Sequence, residues 1–576
     1  MDQKEYDLEQ SKAELNNLVD LLAEQTDEVS CKAIVEKAES IYERYPESED
    51  IALRYAISLV HLAFVQVDES SRYTTAKEVQ GLYERYPESQ KVTLRYAISL
   101  VHLAFVQVDE SSRYTTAKEV QGLYERYPAS AEIAFHYARI LINVLLVQIE
   151  ESSHHIVVKQ VQDVYSTHPL FVLKKFDKIF FDTKSICNSY DYKLFNFILK
   201  EGLLKNTKYA ILQTWAKRYK EDSDELKNLL SIYQYVQKIK YQLGLKDKSK
   251  KKNFKFGHYT KGSVLQSLLY QKEESNFSIA GKTRLNNANY MNDPEEGIVI
   301  EKILGLDRRD VLEPSSWFLM SFTSKTDDLA MWSQYGDDAQ GVCIVLREDD
   351  FSRFTSFNDV SWRQEVISFD FSNKIDSTIS ELNSDLKISI LQTESEKDDS
   401  VETVCDEETK LQSERQDDVV KGHIDYLYRI AYVNDSGGKF SIEKTELFDD
   451  KEIIELETLL KALKEKLDKD LNKEDDFYQK AISDCIEEIR YLFKSVDYKY
   501  EDELRILRYA NLDPSNEEIK IDKSSGIGKL YVERENPIQI AEVIFGPKFA
   551  NPEYVTPLLK LLDKDIAFKK STIKFR

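Results

Sequence analysis

The stretch Leu53–Pro87 reads LRYAISLVHLAFVQVDESSRYTTAKEVQGLYERYP and returns letter for letter as Leu94–Pro128, 41 positions later. The period reaches beyond the duplicate, since Tyr45-Pro46 returns as Tyr86-Pro87, as Tyr127-Pro128 and, degraded, as His168-Pro169. A fixed period between about 20 and 50 residues marks a solenoid whose units bury their faces only against neighbours. Within one unit, Ala76, Val79, Leu82, Tyr83 and Tyr86 recur at helical spacing until Pro87 stops the run. Leu94, Tyr96, Ala97, Leu100, Val101 and Ala104 then begin a second apolar stripe. Each unit therefore reads as two helices, and the N-terminal part as an all-α array. His61 and its copy His102 fall on the apolar stripe, where packing explains them.

The Ala...Tyr...Pro arrangement resembles a tetratricopeptide repeat, and the longer period fits a HEAT-like helical pair equally well. Such arrays hold partners, so the expected ligand of residues 1–245 is a protein partner or phage trigger. Helical patterning continues from Phe171 to Lys240, and the aromatics Phe176, Phe180 and Phe181 read as core.

At 576 residues the chain exceeds a single core. A net charge of -23 and a pI near 5.0 exclude a nucleic-acid-coating protein, leaving nucleic acid only as a target of the C-terminal half. Cys31, Cys187, Cys343, Cys405 and Cys485 form no CxxC pair, so the expected setting is the reducing cytoplasm. The N-terminus MDQKEYDLEQ is charged, and the longest apolar run, Tyr55–Val67, is interrupted by Ser58, His61 and Gln66. It falls short of the roughly 20 residues a membrane span requires, so no membrane association is expected.

Residues 246–253 contain the run Lys246-Asp-Lys-Ser-Lys-Lys-Lys252 and read as a solvated basic linker. From 254 to 576 the pattern changes to short β-rich runs, Trp317–Phe322, Gly341–Leu346 and Ala541–Phe545, mixed with helices, which is an α+β domain. Two insertions interrupt it. The first, about 383–418, is rich in Glu, Asp, Ser and Gln; the second, 443–494, carries Leu and Ile at helical spacing and reads as a helical pair.

This domain holds, in order, Gly257-His258-Tyr259-Thr260, Asn289-Tyr290-Met291-Asn292-Asp293-Pro294-Glu295-Glu296, Ser321-Phe322-Thr323 and Met331-Trp332-Ser333-Gln334-Tyr335. Gly341-Val342, Tyr500-Glu501-Asp502-Glu503-Leu504-Arg505 and Gly546-Pro547-Lys548 follow. In this order they resemble a bacterial family of unknown-function domains marked by HYT, NDPxE, MWxxY with a following GV, and ExExR. The resemblance runs from Phe254 to about Leu562, insertions excepted. That family often accompanies defence and mobile-element genes, which implies an anti-phage defence or toxin effector.

The opening strand in His-Tyr-Thr, followed by a helix over Val264–Tyr270, also resembles DarT-type and other ADP-ribosyltransferases. Those enzymes hold the ribose of NAD with a first-strand His or Arg, stack the nicotinamide on an aromatic and place a late Glu beside the scissile bond. The resemblance implies His258, Glu501 and Glu503 as catalytic residues. It implies His258 and Tyr259 or Tyr290 as cofactor-binding residues and NAD as substrate; Thr260, Asn292, Asp293, Trp332, Tyr335 and Arg505, from the same motifs, are the further expected cofactor contacts, and no metal is expected. The transferases' Ser-Thr-Ser strand is missing unless Ser321-Phe322-Thr323 stands in its place. The chemistry agrees: breaking the nicotinamide glycosidic bond builds oxocarbenium character, which a carboxylate stabilises. Glu503 comes first and Glu501 second for that role.

Other readings stand beside these. Asn292-Asp293-Pro294 suits a capped turn, Trp332 and Tyr335 suit a core pair at i, i+3, and Glu503 with Arg505 suits a structural ion pair. Asp293, Glu295, Glu296, Glu501 and Glu503 would serve a magnesium-dependent nuclease or phosphodiesterase, and a non-enzymatic repeat adaptor needs none of them. The macromolecular acceptor is not encoded in any motif.

Overall fold

The computed structural model describes residues 3–23, 25–145, 151–168, individual positions between 177 and 200, 209–246, 255–361 and 425–575. Short gaps fall at 268, 273–274, 280–282, 292, 294, 296, 307–311, 356, 437–438, 469–474, 523–527 and 535–537. Two compact units emerge: Met1–Lys205 with Leu212–Glu221, and Asn206–Ile211 with Asp222–Arg576.

The first unit is a run of helices: α1 (Gln3–Ala23), α2 (Glu28–Arg44), α3 (Glu49–Val65), α4 (Glu69–Arg85), α5 (Gln90–Ala104), α6 (Glu110–Arg126), α7 (Ala131–Leu145) and α8 (Glu151–Thr167). The period in the letters is a period in the bonds. Asp27, Asp68 and Asp109 cap α2, α4 and α6, each carboxylate accepting from the N–H three residues on at 2.8 Å. Tyr86 donates to the carbonyl of Pro46 at 2.6 Å and Tyr127 to that of Pro87 at 3.0 Å. His168, the degraded Tyr, places its Nε2 3.1 Å from the carbonyl of Pro128 and so keeps the same link. Tyrosines 42 and 55, 83 and 96, and 124 and 137 stack at 5.2, 5.3 and 5.3 Å. Arg72 donates to the carbonyls of Gln66 and His102, both at 2.6 Å, and so stitches its own unit to the next.

His102 is buried, and burial, with Arg139 and Arg72 adding repulsion, pushes its pKa down to about 3. The unfolded chain takes up this proton near pH 6.5, whereas the folded chain does not until about 3. Stability is therefore fully present above 6.5 and falls with pH below it, by up to about 1.4 kcal/mol per pH unit. Urea midpoints at pH 7, 6 and 5 should show this slope and show it flattened in His102→Gln; parallel slopes would reject the assignment.

The second unit begins with α10 (Asp224–Leu243), which follows α9 (Ala210–Arg218). It is built on a mixed sheet in the order β12-β13-β4-β5-β1-β6-β14-β15, with β11 pairing β5 and β7. The strands are β1 (Phe256–Thr260), β4 (Arg284–Asn287), β5 (Trp317–Thr323), β6 (Val342–Leu346), β7 (Leu427–Arg429), β11 (Glu503–Tyr509), β12 (Lys520–Asp522), β13 (Lys529–Glu533), β14 (Ile540–Phe545) and β15 (Ala567–Lys570). All pairs are antiparallel except β14 with β15. Strand β6 is buried at every residue and β5 at all but Ser321, as central strands covered on both faces must be. Strands β2 (Leu269–Lys272) and β3 (Ser275–Ile279) form a hairpin, and β8 (Ala431–Ser436), β9 (Lys439–Ile442) and β10 (Phe493–Ser495) a small sheet.

The expected helical pair appears within 443–494 as α11 (Asp450–Leu467), started by an Asp449/Glu452 capping box, and α12 (Asp476–Arg490). The other expected insertion, 383–418, lies outside the described residues, as do 247–253 of the linker. The two compact units divide between 205 and 222, upstream of the expected linker at 246–253. Helix α10 is buried around most of its circumference by α11 and α12. Lys240 reaches Glu488 of α12 at 2.5 Å, and Asn228 donates to Tyr478 at 2.7 Å. Periodicity identified α10 as a helix but carried no record of which half it packs against.

Candidate functional site

Strands β1, β5 and β11 lie side by side, with β5 in the middle. Gly257 permits the close fit of β1, since a Cβ there would meet Cys343 Sγ and Thr326 Cγ2, both at 2.8 Å. The next residue, His258, turns its Nδ1 to the carbonyl of Ser321 on β5 at 2.9 Å. A carbonyl only accepts, so Nδ1 carries the proton and Nε2 is left as an acceptor. Burial lowers the pKa of His258, only partly offset by that bond, which keeps the ring neutral at neutral pH.

On the far side of β5, Glu503 and Arg505 face Thr323 and Ser321 in register. Adjacent strands are about 4.8 Å apart, so the β1 and β11 backbones are separated by roughly 10 Å. Glu503 is buried and clamped, accepting from Arg505 Nε at 2.6 Å and Nη2 at 2.9 Å, with Lys494 Nζ at 2.9 Å. Burial alone would raise its pKa, but Arg505 and then Lys494 hold it well below the ordinary carboxylate value. Glu501, also buried, accepts from Tyr335 at 2.6 Å and from Lys494 at 2.7 Å. Its pKa moves the other way, raised by burial and by the neighbouring Glu503 against the pull of Lys494 and Tyr335. Between the two glutamates Asp502 is left-handed, at φ 45° and ψ 56°, which turns the chain from the 3-10 turn Val496–Glu501 into β11.

These groups line a cavity of about 360 Å³, within the size range of small-molecule sites and sufficient for a nucleoside-sized group. His258, Tyr290, Asp293, Tyr335, Glu501, Glu503 and Arg505 are brought together there. Tyr290 sits in a turn beneath Lys529, 5.7 Å from its ring, and Asp293 accepts from the N–H of Glu295 at 2.8 Å as a turn-former. Asn292 lies outside the described residues.

Of the expected cofactor contacts, Trp332 and Thr260 lie off the cavity, whereas Tyr259 and Arg505 line it with polar groups that have partners of their own. Side chains alternate along a strand, so Tyr259 and His258 leave β1 on opposite faces, and the register Gly257–Thr323–Glu503 puts Tyr259 on the face of Glu503. Although Tyr259 borders the cavity, its ring packs edge-on against Trp332 at 4.8 Å, and its hydroxyl bonds Lys325 O and Asp328 N at 2.7 and 3.1 Å. Trp332 itself is wholly buried in the core with its Nε1 on Asp327 at 2.8 Å, and it does not line the cavity. Thr260 ends β1 opposite Val342, also off the lining. Arg505 has its guanidinium occupied by Glu503 and by the carbonyl of Tyr491 at 2.7 Å, so it orients a carboxylate rather than a ligand.

Lys494, Arg284 and Lys529 also line the cavity without having been singled out in the sequence. Lys494 belongs to no motif; it reaches the site because β10 and β11 are joined by one short turn. Among the described residues no cluster of three His, Cys, Asp or Glu side chains is placed to hold a metal ion.

Residues 331–506 match a family described as a protein of unknown function, DUF2971. The match begins in the Met331-Trp332 helix and ends in β11, so it includes the two glutamates, whereas His258 and Tyr290 precede it. No curated protein and no solved structure matches the chain. Among the described residues no helix is long and apolar enough to cross a membrane.

Proposed function

We propose that the cavity takes the nicotinamide-ribose end of NAD and that the second unit breaks the nicotinamide glycosidic bond. ADP-ribose then passes to a macromolecular acceptor or to water, in an ADP-ribosyltransferase-like domain joined to a tetratricopeptide-like array. The observation that carries this is the placement of a neutral His258 and a permanently ionised, buried Glu503 on either side of one strand, over a nucleoside-sized cavity. Nε2 of His258 is an acceptor suited to a ribose hydroxyl. Glu503 supplies fixed negative charge where the oxocarbenium ion develops, in a site dry enough for that charge to act strongly. The ring of Tyr290 offers flat apolar surface to the leaving base. A defence or toxin role, with the repeats sensing a protein or phage trigger, is the biological setting this chemistry suits.

Calorimetric titration with NAD and an assay of nicotinamide release test the reading on the full chain. We expect binding, release of nicotinamide without added metal, and a weaker binding constant together with slower release in His258→Ala. Absence of both binding and release rejects it; metal-dependent cleavage of nucleic acid would favour the nuclease, and no activity of either kind the adaptor.

A further inference from the structure

The ammonium of Lys494 stands between the two glutamates, 2.7 Å from Glu501 and 2.9 Å from Glu503, on the same Oε2 atom of each. It is 5% exposed, so these contacts are not screened by bulk water. Its place is firmly built. Strand β10 pairs in parallel with β8, with Lys494 opposite Tyr432, and the Tyr432 hydroxyl accepts from the N–H of Glu503 at 2.9 Å. Four residues upstream, Arg490 ends α12 in a buried ion pair with Glu301.

The two glutamates are not equivalent around this shared cation. Glu503 has a second, bidentate cation in Arg505, whereas among the described residues the other oxygen of Glu501 meets only the neutral hydroxyl of Tyr335. Protonating Glu503 would break three charge-assisted bonds; protonating Glu501 breaks one and leaves Lys494 still held by Glu503. The groups facing Glu501 are Tyr335 after the Met331-Trp332 helix, Lys494 on β10, Tyr432 on β8, and Asp502, Glu503 and Arg505 beside or on β11.

We propose that Lys494 is a positioning residue that divides the tasks of the two carboxylates, fixing Glu503 as the permanent anion and Glu501 as the proton carrier. The step itself rests on the NAD reading above. As the bond from the ribose anomeric carbon to the nicotinamide nitrogen breaks, its electron pair leaves on that nitrogen. The acceptor hydroxyl or water bonds to the carbon and its proton passes to the Glu501 carboxylate. Glu501 must be ionised for this, so activity rises with pH through its titration. Removing Lys494 takes away the cation that favours the ionised form, so the rise moves to higher pH.

The test measures nicotinamide release against pH for the wild type, Lys494→Met and Lys494→Arg. We expect the acid limb of Lys494→Met to move up by one pH unit or more, with kcat at pH 7 reduced at least 10-fold and KM changed less than 3-fold, and Lys494→Arg to restore the limb. An acid limb in its wild-type position in an active, folded Lys494→Met protein overturns the proposal. Infrared difference spectra taken with pH follow the carbonyl stretch of a buried carboxylic acid without any need for turnover, so they test Lys494 even if NAD is not the substrate. A titrating band that is lost in Glu501→Gln and moves to higher pH in Lys494→Met supports the division. A band that stays put in Lys494→Met, or that is lost in Glu503→Gln instead, overturns it.

Discussion

Glu503→Gln should lower nicotinamide release by roughly 100-fold or more, the effect of removing one well-placed charge from a dry site. The substitution keeps the shape and removes the anion. It also leaves the buried guanidinium of Arg505 without its ionised partner, and breaking one side of a buried pair costs about 3–5 kcal/mol. Both effects must therefore be read together. Thermal melting establishes whether the variant is folded at the assay temperature, and Arg505→Met provides the comparison. If the pair is structural only, the two variants lose activity only as far as each loses folded protein. If Glu503 acts on the sugar, folded Glu503→Gln remains inactive while the folded fraction of Arg505→Met, which keeps the carboxylate and Lys494, retains measurable turnover. Wild-type turnover in folded Glu503→Gln would reject the role.

Lys240→Met should destabilise the second unit by about 3–5 kcal/mol without touching the site, because it strands a buried carboxylate. Lys240 is wholly buried; its ammonium donates to Glu488 at 2.5 Å and to the carbonyl of Ser361 at 2.6 Å, and lies 4.3 Å above the ring of Trp317. Burial alone works against its charge, and Glu488 sustains it. The double variant Lys240→Met/Glu488→Leu removes both charges, and most of the lost stability should return. Calorimetry of the full chain checks this. An unchanged melting profile in Lys240→Met would mean that α10 contributes little to the second unit and would restore the division at 246–253.

Where the chain could be read locally, it was read well. The helix stops at Tyr86-Pro87 and Tyr127-Pro128 are each decided by a few adjacent residues. The buried strands β5, β6 and β14 announced themselves as apolar runs. The site was legible in part for the same reason: His258 after a glycine and the Glu501-Asp502-Glu503 cluster are unusual enough to be noticed, and they line one cavity.

The repeat period, the helical character of the first part, the change to strands after Phe254 and the identity of most cavity residues were determined by the sequence itself. Each depends on backbone preferences and apolar spacing within a few turns of chain. Only the tertiary structure decided that α10 belongs with the sheet, that Trp332 is core, that Arg505 serves Glu503, and that Lys494 joins the two glutamates. Apart from Trp332, which is placed by apolar packing, those outcomes depend on charges brought within about 3 Å of each other, in places where burial makes an unmatched charge costly. In the case of Lys240 and Glu488 the partners are 248 residues apart, a pairing that no local pattern of residues records.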